Sequence, residues 1–319
     1  MFKTRRLPRP VVSVGNLTVG GTGKTPLVAY VATLLLRQGW KPSILTRGYG
    51  RDSKVEMIVL PPGVGRRLDA EEIGDEPAIL ARALPEIPLV VCADRFRGGQ
   101  AAEEQFRVDV HILDDGFQHL ALARAVDLVA LDATQKISNW ELLPAGRQRE
   151  TLEGLRRAQM VVLTRTDSAD PQALEGLVRK IHPAAKVFRG TTEVLGWKNA
   201  LEGGAVATED VRAKKAAAFC GIGNPQAFFA DLRRRGFTLA EENAFPDHHV
   251  YTGEDIRRLV AKAEKAGATV LLTTQKDAVK FSVDWRPALP ILACEIAAQI
   301  QDAGEFEKAL LSLLPKASS

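Results

Sequence analysis

The sequence predicts an α/β fold with a mostly parallel sheet covered on both faces by helices. Three observations point there. Apolar strand-like runs alternate with helical patterns along the chain, as in βαβ units. A glycine-rich turn, Val14-Gly15-Asn16-Leu17-Thr18-Val19-Gly20-Gly21-Thr22-Gly23-Lys24-Thr25-Pro26, joins the first strand to the first helix. A later strand, Asp109–Leu113, ends in two acids, Asp114 and Asp115. Ligands of such folds gather at the carboxyl ends of the strands, and both the turn and the acids fall there.

The elements follow in order. The first strand is Val11–Val14 and the first helix Leu27–Arg37. That helix is apolar, but Tyr30 and Thr33 interrupt it, so it reads as a core helix. Strands are predicted at Ser43–Thr46, Leu89–Cys92, Leu128–Leu131 and Met160–Thr164, with helices at Pro77–Ala83, Gly98–Gln105 and Gln172–Ile181. A second set starts near Ala216. It comprises the strand Ala216–Cys220, a turn at Gly221-Ile222-Gly223-Asn224-Pro225, the helix Gln226–Arg235, a short strand Phe237–Leu239 and the amphipathic helix Glu254–Lys265. The strands Thr269–Thr273 and Pro290–Cys294 and the helix Gly304–Leu314 complete it. The polar stretch Asn199–Thr208 reads as a connection. A boundary near residue 190 then gives a nucleotide-binding, catalytic domain over 1–190 and a second lobe over 191–319.

Composition sets outer bounds. A net charge of +4 over 319 residues argues only weakly for a polyanionic partner, and no nucleic acid is expected. The charge is uneven: Lys3, Arg5, Arg6 and Arg9 crowd the first nine residues without an acid. Such an arm suits an anionic membrane surface as well as it suits solvent. Cys92, Cys220 and Cys294 lie far apart in apolar runs, with neither zinc nor disulfide spacing, and read as buried thiols in a reducing compartment. No run of eighteen apolar residues predicts a transmembrane helix, and no signal peptide is read ahead of the glycine-rich turn.

The turn carries the chemistry. A glycine-rich turn at a helix N-terminus aims backbone N–H groups into a concavity that suits phosphate. Lys24 supplies charge to the β- and γ-phosphates, and the Thr25 hydroxyl can hold Mg²⁺. Thr18, Val19, Gly20, Gly21, Thr22, Gly23, Lys24 and Thr25 are the candidate nucleoside-triphosphate-binding residues. The pattern departs from G-x-x-x-x-G-K-[ST] at its first position, Thr18. Val19 also replaces the first lysine of the related K-G-G-x-G-K-T branch. Asp114 and Asp115 end a strand as a Walker B segment requires, within reach of Mg²⁺.

Other candidates have two readings each. Asp75, in Gly74-Asp75-Glu76-Pro77, is either a helix cap ahead of a proline or a carboxylate that accepts a proton from an attacking hydroxyl. His248 and His249, in Phe245-Pro246-Asp247-His248-His249, are loop histidines without zinc-ligand spacing around them. Lys276 follows a strand and can face a phosphate. Arg47, Arg147 and Arg149 lie in loops after strands and are either exposed charges or stabilisers of a transferring phosphoryl group. His119 reads as structural.

Together these runs resemble the tetraacyldisaccharide 4′-kinase (lipid A 4′-kinase) family. The matching segments are the turn Ser13–Pro26, Thr46-Arg47-Gly48-Tyr49-Gly50, Gly74-Asp75-Glu76-Pro77, Leu113-Asp114-Asp115-Gly116-Phe117-Gln118-His119, Leu142-Leu143-Pro144-Ala145-Gly146, Gly221-Ile222-Gly223-Asn224-Pro225, Asp247-His248 and Lys276-Asp277-Ala278-Val279-Lys280. They run in order through almost the whole chain.

The resemblance implies a P-loop NTPase-like α/β/α sandwich with a second, smaller α/β/α lobe. It implies transfer of the ATP γ-phosphoryl group to the 4′-hydroxyl of an acylated glucosamine disaccharide 1-phosphate, giving lipid IVA in lipid A synthesis. The enzyme would sit peripherally at the cytoplasmic face of the bacterial inner membrane, with no obligate protein partner. Laid onto matching positions, the family's roles make Asp75 the general base with His248 its partner, on separate lobes that close to bring them together. They make Lys24 and Arg149 phosphate-facing, and Thr25, Asp114, Asp115 and Glu76 the Mg²⁺ sphere. Arg147 and Gln148 depart from the family's Pro and Leu, which bears on the shape of that loop. The family also carries a membrane-docking helix ahead of the P-loop. Here Lys24 comes early, so docking is expected to use the basic arm and other surfaces, unless the chain start is misplaced.

Two rivals remain at this stage. Thr164-Arg165-Thr166-Asp167 loosely resembles the guanine-reading T-K-x-D motif of a GTPase or metallochaperone-like NTPase, although Arg165 stands where that motif has lysine. A nucleotide-dependent binding ATPase without an acceptor is the other, and Val19 in place of the signature lysine counts against it.

Overall fold

The computed structural model describes residues 4–51, 53–64, 70–135, 141–282 and 284–315. The chain divides into two compact units. The larger comprises Met1–Leu68, Glu76–Glu193 and Ala297–Ser319, and the smaller Asp69–Asp75 and Val194–Ile296.

The larger unit is built on β1 (Val11–Asn16), β2 (Pro42–Thr46), β3 (Met57–Leu60), β4 (Leu89–Cys92), β5 (Val110–Asp114), β6 (Val126–Asp132), β7 (Met160–Thr164) and the start of β8 (Lys186–Asn199). Their order is β8-β7-β6-β1-β5-β2-β4-β3. Every pair is parallel except the edge strand β3, which runs antiparallel to β4. β1, β2 and β4 to β7 are buried along their whole length, as strands covered on both faces must be. The register places Val14 beside Asp114. The turn after β1 and the acids at the end of β5 therefore leave the sheet together, at its carboxyl edge.

The helix Lys24–Arg37 buries Leu27, Val28, Val31, Ala32, Leu34 and Leu35. That stripe repeats at helical spacing, and each fully buried leucine or valine contributes roughly 1.5–3 kcal/mol. The helix stops where Gly39 takes φ +80°. Trp40 N–H then donates to Leu35 O at 3.0 Å and Gly39 N–H to Leu36 O at 3.0 Å, a Schellman close.

The helix expected from Gly98 instead spans Arg95–Gln105. Asp94 caps it, accepting from the N–H groups of Phe96 and Arg97 at 3.1 and 3.2 Å. The helix expected from Pro77 begins at Asp75.

The smaller unit has β9 (Ala205–Val206), β10 (Lys215–Cys220), β11 (Thr238–Ala244), β12 (Val270–Thr274) and β13 (Ile291–Ile300). The order β11-β10-β12-β13 is parallel throughout. The helix Pro225–Arg234 starts at the Asn224 cap, and Gly253–Lys265 at a capping box of Thr252 and Asp255. Phe219, Tyr251 and Phe281 pack as an aromatic cluster with centroids 5.2–6.0 Å apart.

Several expectations need correcting. The two units part between Glu193 and Val194, close to the boundary expected near residue 190, although β8 continues across it; β9 pairs antiparallel with β8 inside the stretch read as a connection. β3 and most of β11 were not expected. The C-terminal helix Ala303–Leu313 belongs to the larger unit, because Phe306 packs edge-on against Tyr30 and Phe188 at 5.6 and 5.1 Å. Asp75 belongs to the smaller unit. Cys92, Cys220 and Cys294 are free and buried. Among the described residues no helix is long and apolar enough to cross a membrane.

Candidate active site

In the larger unit the site grows from β1. Asn16 ends the strand as a polar residue with no solvent exposure. Its amide donates to Thr18 O and to Thr22 Oγ1, both at 2.7 Å, and so ties the turn across its mouth. The Thr164 hydroxyl at the end of β7 holds the Thr22 carbonyl at 3.0 Å. Gly20 and Gly23 take φ +99° and +79°, which side-chain-bearing residues rarely adopt. Gly23 caps the helix Lys24–Arg37 without a side-chain hydrogen bond, and the first turn carries no acid. Its leading N–H groups and positive dipole end are therefore left for an anion from outside the chain. Thr25 is the second residue of that helix and is part-exposed.

Lys24 points back over the turn. Its Nζ donates to Asn16 Oδ1 at 3.3 Å and pairs with the Asp115 carboxylate. Arg149 Nη1 grips the same carboxylate at 2.7 and 2.8 Å. Burial pushes the Asp115 carboxyl up, but the charges and hydrogen bonds of Lys24 and Arg149 outweigh it and hold the carboxyl below its ordinary range. Asp114 behaves oppositely. Burial drives it up to about 6, against Lys24, and the neighbouring charges of Asp115 and Glu76 add to the rise. The Thr46 hydroxyl donates to it at 3.0 Å.

The loop after β6 is sewn to the turn by backbone bonds. Val19 N–H donates to Arg147 O at 2.8 Å, and Arg149 N–H to Leu17 O at 2.7 Å. The Arg147 guanidinium donates to Val19 O at 3.1 Å. Arg147 and Gln148 thus act here as a short antiparallel strip against Thr18, a role that backbone hydrogen bonds permit despite the changed side chains. Glu150 pairs with Arg157 at 2.7 Å and accepts from Gln118 at 2.8 Å.

The candidate donors for a divalent cation are hard oxygens: the Thr25 hydroxyl and the Asp114, Asp115 and Glu76 carboxylates. No group of three or more acidic, histidine or cysteine side chains among the described residues forms a cage by itself. One or two carboxylates completed by phosphate oxygens and water is the arrangement Mg²⁺ favours. Burial first, and then the neighbouring charges of Asp115 and Glu76, raise Asp114, and a cation there would offset both. The residues fit the ion.

In the smaller unit Asp75 and His248 stand together. His248 Nδ1 lies 3.0 Å from Asp75 Oδ2. The two were expected on separate lobes. They share one unit instead, because the segment that ends at Asp75 belongs to it. The Asp75 side chain faces His248 and Lys280. Burial pushes its carboxyl up, but the His248 hydrogen bond and the charges of Lys280, His248 and Lys276 more than reverse that, leaving it low. Lys276 Nζ sits 3.2 Å from His248 Nε2 and 3.0 Å from Asp247 Oδ1, so it serves the histidine here.

Backbone strain marks these residues. Four non-glycine residues with positive φ are seen among those described, Asp115, Arg165, His248 and Asp302, and the first and third are site candidates. Such conformations cost roughly 1–3 kcal/mol and cluster at functional sites.

Other candidates fall elsewhere. Arg165 pairs with buried Asp132. Arg47 is exposed, and its charge adds to burial in lowering the pKa of buried Arg95. His119 is pushed down to about 4 by burial and then by Arg95 and Arg124. Of the basic arm, Arg5 binds Asp94 at 2.6 Å and lies over the Phe96 ring, Arg6 and Arg9 are exposed, and Lys3 lies outside the described residues. Sequence reasoning missed Asn16, Gln118 and the Asp277–Lys280 pair as site components. A lone polar residue ending an apolar strand was the available signal for Asn16.

Comparison with known proteins agrees over the whole chain. The family model for tetraacyldisaccharide-1-P 4'-kinase matches residues 1–315. A tetraacyldisaccharide 4'-kinase of Geobacter metallireducens is 41% identical over 305 residues, covering 94% of this chain and 86% of that protein. The Pelobacter propionicus protein of the same name is 38% identical over 319 residues, covering 99% and 86%. The crystal structure of LpxK from Aquifex aeolicus, an "apo" form in complex with ATP, matches with a TM-score of 0.78 at 31% identity, covering 98% of this chain and 91% of that one. The chain belongs to the tetraacyldisaccharide 4'-kinase family.

Proposed function

We propose that this protein transfers the γ-phosphoryl group of ATP to the 4′-hydroxyl of an acylated glucosamine disaccharide 1-phosphate, the 4′-kinase step of lipid A synthesis. The observation that carries the reading is the Asp75–His248 hydrogen bond. A carboxylate kept ionised and oriented by a histidine is placed to receive a hydroxyl proton as the new O–P bond forms and that proton becomes acidic. A switch GTPase or a partitioning ATPase passes the phosphoryl group to water and has no sugar hydroxyl to position.

The chain's own residues divide the work. The N–H groups of the Thr18–Thr25 turn, with Lys24, bind the phosphates. Lys24 and Arg149 share one internal anion, Asp115, and the γ-phosphoryl oxygens compete for the same two cations as charge spreads over them. Asp75 accepts the proton as the acceptor O–H bond breaks, the new O–P bond forms and ADP leaves. His248 orients Asp75. Asp75 directly precedes Glu76, whose charge acts on Asp114. Thr25, Asp114, Asp115 and Glu76 would hold Mg²⁺, which supplies charge neutralisation at the β- and γ-phosphates.

Exposed Arg6 and Arg9 support peripheral docking on an anionic membrane surface, at the cytoplasmic face of the inner membrane. The deciding experiment incubates the protein with ATP, Mg²⁺ and the disaccharide 1-phosphate and looks for a bis-phosphorylated product by mass spectrometry. ATP consumption that ignores the acceptor, or a preference for GTP, overturns the reading.

A further inference from the structure

Lys280 is the buried cation of the smaller unit that the reaction described above leaves without a role. Its side chain is only 5% exposed. A buried ammonium must be paired, and the structure spends several groups on this one. Lys280 Nζ donates to His249 O at 3.2 Å and lies 3.7 Å from Asp277 Oδ1 and 5.8 Å from the Tyr251 ring. Its remaining partner is Asp75 Oδ2, at 3.5 Å.

The anchor behind Lys280 is firm. Asp277 has no solvent exposure. It accepts from Gly221 N–H at 3.0 Å, from the Tyr251 hydroxyl at 2.9 Å and from the Thr274 hydroxyl at 2.6 Å. These groups belong to the ends of β10 and β12 and to the aromatic cluster, so the ammonium's position is set by the body of the unit.

His248 and Lys280 meet the same atom of Asp75. Nδ1 lies 3.0 Å from Oδ2, and Nζ 3.5 Å from Oδ2. Lys276 faces the other side of the His248 ring, 3.2 Å from Nε2. An ammonium there needs the Nε2 lone pair, which leaves the ring proton on Nδ1, toward Asp75. Oδ2 is thus held by a directed N–H donor and a fixed positive charge. Among the described residues no hydrogen bond or ion pair is seen at Oδ1.

We infer that Lys280 is a positioning residue for phosphoryl transfer: with His248 it holds Oδ2 of Asp75 and so presents Oδ1 to the acceptor hydroxyl. The inference rests on the reading of Asp75 as general base. Lys280 touches no reacting atom. It limits the rotation of the carboxylate, and misorientation of a base lowers the rate without weakening substrate binding.

The test compares Lys280→Met, Lys280→Gln and Lys280→Arg with wild type, and repeats Lys280→Met in an Asp75→Asn background. Steady-state kinetics use ATP and the disaccharide 1-phosphate, with melting temperature and binding of a non-hydrolysable ATP analogue as controls. Both neutral variants are expected to lose about ten- to a hundredfold in kcat, a part of the roughly 10²–10⁴-fold that general-base assistance supplies, with KM for both substrates changed less than about threefold. Lys280→Arg, which keeps the charge, recovers most of the loss. In the Asp75→Asn background Lys280→Met costs little more. Lys280→Gln keeps a donor for His249 O and carries the test if Lys280→Met does not fold.

Neutral variants with kcat within about twofold of wild type overturn the inference, and so does a loss that multiplies with that of Asp75→Asn. Asp75→Asn that keeps wild-type kcat is a separate result. It removes the general base itself, and the inference with it.

Discussion

Replacing Asn16 by alanine tests how the phosphate-binding turn is held. Asn16 is fully buried, as is the Thr22 hydroxyl it reaches, on a residue 1% exposed. The substitution removes two 2.7 Å hydrogen bonds, to Thr18 O and Thr22 Oγ1. Each buried partner left without its donor costs about 1–3 kcal/mol, so a total of about 2–6 kcal/mol is expected. At about 2 °C per kcal/mol for a chain of this size, the melting temperature should fall by about 4–12 °C. Function should suffer in parallel, because Asn16 Oδ1 also receives Lys24 Nζ at 3.3 Å. The KM for ATP should rise. Asn16→Asp is a sharper probe: it keeps the size but turns the amide donor into an acceptor facing the Thr18 carbonyl, and should be at least as damaging. Thermal melting with and without an ATP analogue, and ATP saturation curves, read both effects. An Asn16→Ala protein that melts within about 1 °C of wild type, with unchanged ATP affinity, refutes the brace.

Further outcomes are expected. Lys24→Ala should remove most turnover and leave the fold intact, since Arg149 still holds Asp115; near wild-type kcat at an unchanged melting temperature would contradict the assignment of the turn. Asp75→Ala and His248→Ala should each lower kcat by about 10²–10⁴-fold, with the double variant well short of the product, because they are one unit; multiplicative losses would show two independent residues. Arg6→Glu with Arg9→Glu should weaken binding to anionic vesicles and its salt dependence while sparing turnover of detergent-dispersed substrate, each charge being worth about 1 kcal/mol near such a surface; truncation is the poorer test, since Arg5 and Leu7 are packed in place. His111 and His119 both have folded pKa values below the ordinary 6.5, the latter at about 4, through burial first. Their contribution is therefore complete above pH 6.5 and is lost as pH falls toward 4, because the unfolded chain binds the extra protons. The melting temperature should drop across that window, and His119→Gln should flatten the drop; an equal slope in the variant would remove His119 as its source.

Much of this protein was legible in local sequence. Continuous apolar runs such as Val126–Asp132 and Met160–Thr164 report strands buried on both faces, because burial on both sides removes the need for alternation. The Gly-Lys-Thr turn between a strand and a helix reports an anion cradle, because only glycine adopts the required backbone freely. The acids after an apolar strand were legible for the same local reason. Resemblance then assigned roles that no spacing could, above all to Asp75 and His248.

What local pattern could not decide is who meets whom across the chain. β8 was hidden because its second half is part-exposed and carries no long apolar run. The helix Ala303–Leu313 joins the larger unit because Phe306 finds Tyr30 and Phe188, with Ala309 and Leu310 buried beside it. The 70–75 segment leaves its sequence neighbours because Asp75 pairs with residues some 170–205 positions later, by their numbering. Lys280, Asp277 and Asn16 look like ordinary polar residues in sequence. Their importance lies in being buried and mutually satisfied, and burial is a property of the folded chain. Local composition therefore determined the elements and the phosphate cradle. Tertiary contact decided which carboxylate is gripped, by which cations, and from which side, because electrostatic and hydrogen-bond partners are set by distance in space.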